Sequence, residues 1–164
     1  MKSFHFLLLS VVWFCCCSTD KEETNPNTTE ILMQQTISGM AEVTDVVISG
    51  DENVYNFSVT IKSPDTGCNQ YADWWEVLDL EGKLIYRRIL AHSHVNEQPF
   101  TRFGGPVEIS KNLEVYVRAH MNNTGYGSQV FKGSVANGFA AQDLDIEFAK
   151  ALEKTPPLPA TCDF

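Results

Sequence analysis

The sequence predicts a mainly β protein, an antiparallel β-sandwich with a short helix near its C-terminus. Two segments alternate apolar and polar residues with the period of a half-buried strand. About six or seven short strand-like segments follow one another at spacings of roughly 8–14 residues, which is typical of a sandwich. Two adjacent tryptophans, Trp74 and Trp75, lie in the middle of this series. We therefore expect two packed sheets, with a Greek-key barrel as the alternative.

The two clearest predicted strands are residues 54–63 and 113–121. In the first, apolar residues at 55, 57, 59 and 61 alternate with polar ones. In the second, the residues at 113, 115, 117, 119 and 121 are apolar, and the polar face between them carries Tyr116, Arg118 and His120. Each strand is expected to turn one face to the core and the other outward, because successive side chains of a strand point to opposite faces.

Four further segments complete the predicted series. Residues 74–79 and 83–91 flank Leu80-Glu81-Gly82, which indicates a hairpin turn containing glycine. Residues 42–49 and 129–135 are weaker strand candidates. By composition, two stretches are expected to be loops: Gly104-Gly105-Pro106 and residues 122–127.

The C-terminal helix is predicted to begin near Leu144. The apolar spacing of residues 143–154 fits either a helix or a strand, but residues 149–154 are strong helix formers. Pro156-Pro157 would stop such a helix. We expect the proline-rich tail beyond it to be pinned back by Cys162.

The N-terminal region has the composition of an export signal. Lys2 precedes an apolar run from Phe4 to Phe14, and this run of about ten residues is too short to span a bilayer. Three consecutive cysteines, residues 15–17, and a polar, acidic stretch follow. The region resembles a bacterial lipoprotein signal, and Cys-Ser-Thr-Asp-Lys-Glu-Glu is most similar to surface lipoproteins of the Bacteroidetes. An ordinary secretory signal or a short buried segment is the alternative.

This resemblance implies a membrane-bound protein. The lipid would be carried by Cys17, with Cys15 and Cys16 as alternative attachment points. The chain then divides into a signal peptide (1–16), a lipidated flexible tether (17–36) and a β-sandwich domain (37–164). The implied location is the outer membrane or cell surface, with the periplasm or secretion as alternatives. A net charge of −9 argues against a nucleic-acid partner, because binding phosphates requires a surplus of Lys and Arg.

Two cysteines lie outside the N-terminal region, Cys68 and Cys162. An exported compartment permits disulfides, and two cysteines are enough to form one. We therefore predict a disulfide between them. Two independent buried thiols are the alternative.

The segment Leu113-Glu-Val-Tyr-Val-Arg-Ala-His-Met121 and the following Gly125-Tyr126-Gly127 resemble the late strand and loop of fibronectin type III domains. This resemblance covers about 15 residues and implies a small immunoglobulin-like sandwich. It implies no site residues.

The histidines carry the sharpest chemical hypothesis. His92 and His94 form a His-x-His motif, which on a strand places both imidazoles on one face, about 7 Å apart. His120 and Glu97 could complete the ligand set. Three imidazoles and one carboxylate form a ligand set that is typical of zinc or copper sites. The alternative is that these histidines bond to loops or face water, since four arginines nearby in the sequence would oppose metal binding.

The same histidine region resembles the first motif of cupins, with His92-Ser-His94 followed by Glu97 and then Gly104. It departs from that motif in two respects. Two residues separate His94 from Glu97, where cupins usually have three or four, and Tyr86 stands where the opening glycine belongs. The resemblance implies a metal site at these residues.

A binding surface is the second hypothesis. Trp74 and Trp75 must point to opposite faces of a strand, so one of them is expected to lie outward. With Tyr116, Arg118 and Tyr126 it could form a stacking platform for a sugar or a peptide. The alternative is that a loop covers the outward tryptophan.

No Gly-x-Ser-x-Gly motif or phosphate-binding loop is present in the sequence. The sequence therefore favours a lipid-anchored, exported, non-catalytic binding or structural module without a cofactor, whose partner is a glycan or a protein at the cell surface. The alternative function is a small metalloprotein with zinc or copper at the histidines.

Overall fold

A computed structural model describes residues 39–163. The predicted signal peptide, the lipid attachment at Cys17 and the tether (17–36) lie outside the described residues. The described elements, in chain order, are β1 (Glu42–Ser49), β2 (Tyr55–Lys62), β3 (Ala72–Asp79), β4 (Leu84–Ile89), β5 (Phe100–Val107), β6 (Val115–Met121), β7 (Gly125–Tyr126), β8 (Gln129–Ser134), β9 (Gly138–Asp143) and a 3-10 helix (Lys150–Lys154).

The strands form two antiparallel sheets. The first has three strands in the order β1-β2-β5, and the second has six, in the order β4-β3-β6-β8-β9 with β7 paired to β6. Apolar side chains from both sheets form one core, which includes Phe57, Val59, Trp75 and Val117. This arrangement is consistent with the predicted β-sandwich. The six segments predicted as strands correspond to β1, β2, β3, β4, β6 and β8.

The glycine-rich stretch at 104–106 is a strand, so its prediction as a loop was wrong. These residues belong to β5, which pairs with β2. A Cβ atom at Gly104 would lie 2.7 Å from the Trp75 ring, and one at Gly105 would lie within 3.0 Å of the Tyr55 carbonyl oxygen. Glycine is needed here because β5 passes so close to its neighbours. The Gly105 N–H also donates to Tyr86 Oη at 2.9 Å. The second predicted loop, residues 122–127, also contains a short strand, β7.

The predicted C-terminal helix is also wrong. The described chain has only the five-residue 3-10 helix Lys150–Lys154, and Ala149 before it is left-handed at φ 48°. Residues 144–163, which we call the C-terminal strap, instead cross the outer face of the six-stranded sheet. Arginines of the sheet bind main-chain carbonyls of the strap, so these oxygens point at the sheet rather than along a helix axis.

None of the helical structure in residues 39–163 has the length and apolar character that a membrane-spanning helix needs.

Candidate functional site

The strap is tied at its far end by a disulfide. Cys162 is bonded to Cys68, which lies in the loop between β2 and β3, across a sequence separation of 94 residues. This confirms the predicted pairing. The Asp163 N–H also donates to the Ala91 carbonyl at 2.7 Å, which holds the same end of the strap against the chain after β4.

Beneath the strap lies a buried ionic network. Glu76, near the centre of β3, pairs in register with Arg87 of β4 and Arg118 of β6. Its Oε2 accepts from Arg87 Nε at 2.7 Å and its Oε1 from Arg118 Nε at 2.8 Å. The Glu76 side chain is fully buried, and both guanidinium groups are nearly so. One carboxylate therefore balances two arginines, and the excess of positive charge faces the strap.

The strap supplies the remaining hydrogen-bond acceptors. Arg87 donates to the carbonyls of Leu152, Thr155 and Pro157, at distances between 2.6 and 3.1 Å. Arg118 donates to the Phe148 carbonyl at 2.6 Å. Since hydrogen bonds from charged donors are the strong ones, this network is the main polar attachment of the strap to the sheet.

Trp74 is the tryptophan that points away from the core, and in the structure the strap covers it. Trp75 faces the core and Trp74 the outer face, but Trp74 is only 3% exposed because the strap lies over this region. Its ring stacks on His120 with centroids 3.6 Å apart, and the Arg87 guanidinium lies 4.5 Å from its centroid. The alternative in which a loop covers this tryptophan therefore describes the structure, and Trp74 does not form an exposed stacking platform.

The other predicted platform residues are buried or half-buried as well. Tyr126 is buried, and the Arg118 guanidinium lies 3.4 Å from its ring centroid. Burial raises the pKa of Tyr126. Tyr116 is half-buried and packs edge-on against Phe148 of the strap. Tyr116 therefore contacts the strap directly, and Tyr126 packs on an arginine that binds the strap.

The predicted metal ligands do not form a metal centre. His92 and His94 have ring centroids 4.5 Å apart, but His94 is buried and stacks on Phe100. Glu97 is paired with Arg102 at 2.8 Å, which lowers the pKa of its carboxyl group. Within residues 39–163, no group of three or more His, Cys, Asp or Glu side chains is arranged to hold a metal ion. The predicted ligand set does not assemble because His120 stacks on Trp74 and binds Asp73.

His94 is instead a buried neutral histidine. Burial, with smaller contributions from Arg102 and His92, lowers the pKa of His94 from 6.5 to about 4. Its backbone N–H donates to Asp65 Oδ2 at 2.7 Å. The Asp65 carboxylate also accepts from the Ser63 hydroxyl and the Ala72 N–H, so it ties this loop to the start of β3.

We expect the protein to lose stability as the pH falls from 6.5 towards 4. In this window the unfolded chain protonates His94 and the folded chain does not, so protons favour unfolding by about 2–3 kcal/mol at the lower end. Urea unfolding at a series of pH values measures the effect. His94→Gln should flatten this part of the profile, and the exposed His92→Gln should leave it in place. Equal profiles for the two variants would contradict the assignment.

An open cleft lies between the end of the strap and the loop that joins β6 to β7. Its volume is about 660 Å³. Its floor includes Asp73, Trp74 and His120, and the strap contributes Lys150 and Glu153 together with residues 158–162. This is a concave site of the size that small ligands occupy.

His120 links the floor of the cleft to the strap. Its Nδ1 lies 2.7 Å from Asp73 Oδ1, and its Nε2 lies 3.7 Å from Glu153 Oε1. Burial raises the pKa of Asp73, and the hydrogen bond to His120 acts in the opposite direction.

Sequence reasoning missed three carboxylates of this region, Asp73, Glu76 and Glu153. A signal for Glu76 is present, because it is a charged residue in the middle of a largely apolar strand. For Asp73 and Glu153 there is no comparable local signal, since each depends on a partner distant in the sequence.

Comparison with known proteins found a relative that matches part of this chain. A protein of Halomicrobium mukohataei named "Putative lipoprotein" is 38% identical over 100 residues, which are 60% of this chain and 49% of that protein. The chain thus spans about half the length of the curated relative it matches. No family model and no solved structure matches the chain. The chain is therefore similar to a protein named as a lipoprotein, and the comparisons assign it to no family.

Proposed function

We propose that this protein is a lipid-anchored, exported, non-catalytic binding module of the cell envelope. The Cys68–Cys162 disulfide carries the proposal, because disulfides form and persist mainly in oxidising, extracytoplasmic compartments. The lipoprotein-like composition of residues 1–17 and the name of the relative support it further.

The fold we propose is immunoglobulin-like, as the resemblance to fibronectin type III domains implies. The strand order supports it: β2 pairs with β5 and β3 pairs with β6, so that consecutive strands are divided between two sheets. Such long connections between neighbouring strands are typical of the Greek-key arrangement in these sandwiches. β9 extends the second sheet beyond β8.

Lipid on Cys17 would hold the domain at the outer membrane or cell surface. A cysteine that carries more than one acyl chain is anchored stably, whereas a single chain gives only marginal binding. The binding role belongs to the cleft beside the strap, because the aromatic residues predicted for this role are covered. A glycan or protein partner at the cell surface would have to insert a group into this cleft.

The lipid anchor is tested by growing cells that express the full chain with labelled palmitate. We expect label in the wild type and in Cys15→Ala and Cys16→Ala, and its loss in Cys17→Ala, with the protein then released from the membrane fraction. An unlabelled wild-type chain would contradict lipid anchoring. Loss of label in Cys16→Ala alone would contradict the choice of Cys17.

A further inference from the structure

The cleft contains two hydrogen-bond acceptors that face each other. His120 Nδ1 lies 2.7 Å from Asp73 Oδ1. Because a carboxylate accepts and does not donate, Nδ1 carries the proton that is donated to Asp73, and an imidazole with this single proton has a lone pair on Nε2. The neighbour of Nε2 on the strap is the carboxylate of Glu153, which is also an acceptor.

No donor of the described chain lies between these two acceptors. The distance from Nε2 to Glu153 Oε1 is 3.7 Å, which is longer than a hydrogen bond. Within residues 39–163, neither atom has a hydrogen-bond partner. The Glu153 side chain is 26% exposed, so the gap opens into the cleft. A group that donates to both acceptors at once must supply at least two hydrogens.

We propose that the cleft binds a primary ammonium group, whose nitrogen donates to both His120 Nε2 and Glu153 Oε1. A single nitrogen can lie about 2.8–3.0 Å from both acceptors when they are this far apart. An ammonium group has three N–H donors and a positive charge that the carboxylate favours. The rest of the ligand would occupy the cleft. This inference rests on the proposed binding role and makes it more specific.

The charges around His120 are compatible with a cation. Arg87 and Arg118 lie on the same sheet face, but their guanidinium groups are bound to Glu76 and to strap carbonyls. Lys150 lines the cleft, and its ammonium group is paired with Glu147.

The remaining titratable neighbours leave the cleft acidic. Tyr71 and Tyr126 have raised pKa values and are neutral near pH 7. Asp73 on β3 and Glu153 on the strap are the carboxylates nearest the proposed nitrogen.

The test uses the full chain in detergent and two probes with the same charge, n-butylammonium and butyltrimethylammonium. NMR titration near pH 7.5 at low salt is expected to show binding of n-butylammonium, with shifts at residues 120–125 and 150–160. Butyltrimethylammonium has no N–H donor and is expected to bind at least about tenfold more weakly. Equal affinities, or no binding of either probe, would overturn the proposal.

Two variants of the strap separate the site from a general charge effect. Glu153→Gln removes the proposed acceptor charge and is expected to weaken n-butylammonium binding at least about tenfold. Asp145→Asn removes one negative charge at an exposed strap position outside the cleft lining and is expected to change affinity by less than about twofold. Equal losses in the two variants would overturn the proposal.

A free amine and a lysine side chain offer the same ammonium group. Titrations with 1,4-diaminobutane and with N-acetyl-lysine methylamide identify which source the cleft prefers, and binding of either supports the proposal. These measurements do not depend on the lipid, and palmitate labelling does not depend on the cleft. Failure of the ammonium site and failure of the lipid anchor are therefore distinguishable.

Discussion

Replacing Glu76 by alanine is expected to lower the free energy of unfolding by about 3–5 kcal/mol, because two buried guanidinium groups lose the carboxylate that balances them. Arg87 and Arg118 approach Glu76 from the strands on either side of β3, with Nε–O distances of 2.7 and 2.8 Å. Without Glu76, both charges would remain buried with only carbonyl partners. Urea unfolding followed by circular dichroism measures the loss.

The matched control is Glu81→Ala, in the turn of the same hairpin. Glu81 is exposed, so its replacement is expected to change stability by less than about 0.5 kcal/mol. Hydrogen exchange adds a second readout, because the arginines that hold the strap are positioned by Glu76. Strap amides should exchange faster in Glu76→Ala than in the control. Equal stability of the two variants would show that the network contributes little to folding.

Removing the disulfide is the second large effect. The double variant Cys68→Ala/Cys162→Ala is expected to lose about 4 kcal/mol, because the bond closes a loop with a sequence separation of 94 residues. The end of the strap would also be released from the loop before β3. Unfolding in urea measures the stability, and hydrogen exchange measures the release of the strap.

Reduction of the wild-type protein is the control for this variant. Wild-type protein with reductant should match the double variant, whereas reductant should not change the stability of the double variant. Unchanged stability after reduction would contradict a stabilising role for the bond. Enhanced exchange is expected at the end of the strap, beyond the carbonyls that Arg87 binds.

Local patterns predicted most of the strands. Alternation of apolar and polar residues predicted β2 at 54–63 and β6 at 113–121, and the structure has them at Tyr55–Lys62 and Val115–Met121. Such alternation is a property of neighbouring residues, so it can be recognised without knowledge of the partner strands. β5 escaped prediction because Gly104 is required by the closeness of Trp75 and Gly105 by the closeness of Tyr55, which no local pattern reveals.

The histidine hypothesis failed for a similar reason. A His-x-His motif predicts a metal site only if other ligands converge on it. In the structure His94 packs on Phe100, whereas His120 stacks on Trp74 and binds Asp73. Histidine is a suitable metal ligand, but each of these two histidines contacts its own set of neighbours instead of a shared metal site.

The sequence by itself determined the β-rich class, the strands with clear alternation and the disulfide pair, because each depends on local periodicity or on a very small number of cysteines. Only the tertiary structure decided the conformation of the strap and the position of the cleft. The carbonyls of Leu152 and Phe148 find donors 65 and 30 residues earlier in the chain. These contacts outweigh the helix propensity of residues 149–154, since charged donors that are already buried bind carbonyl oxygens strongly.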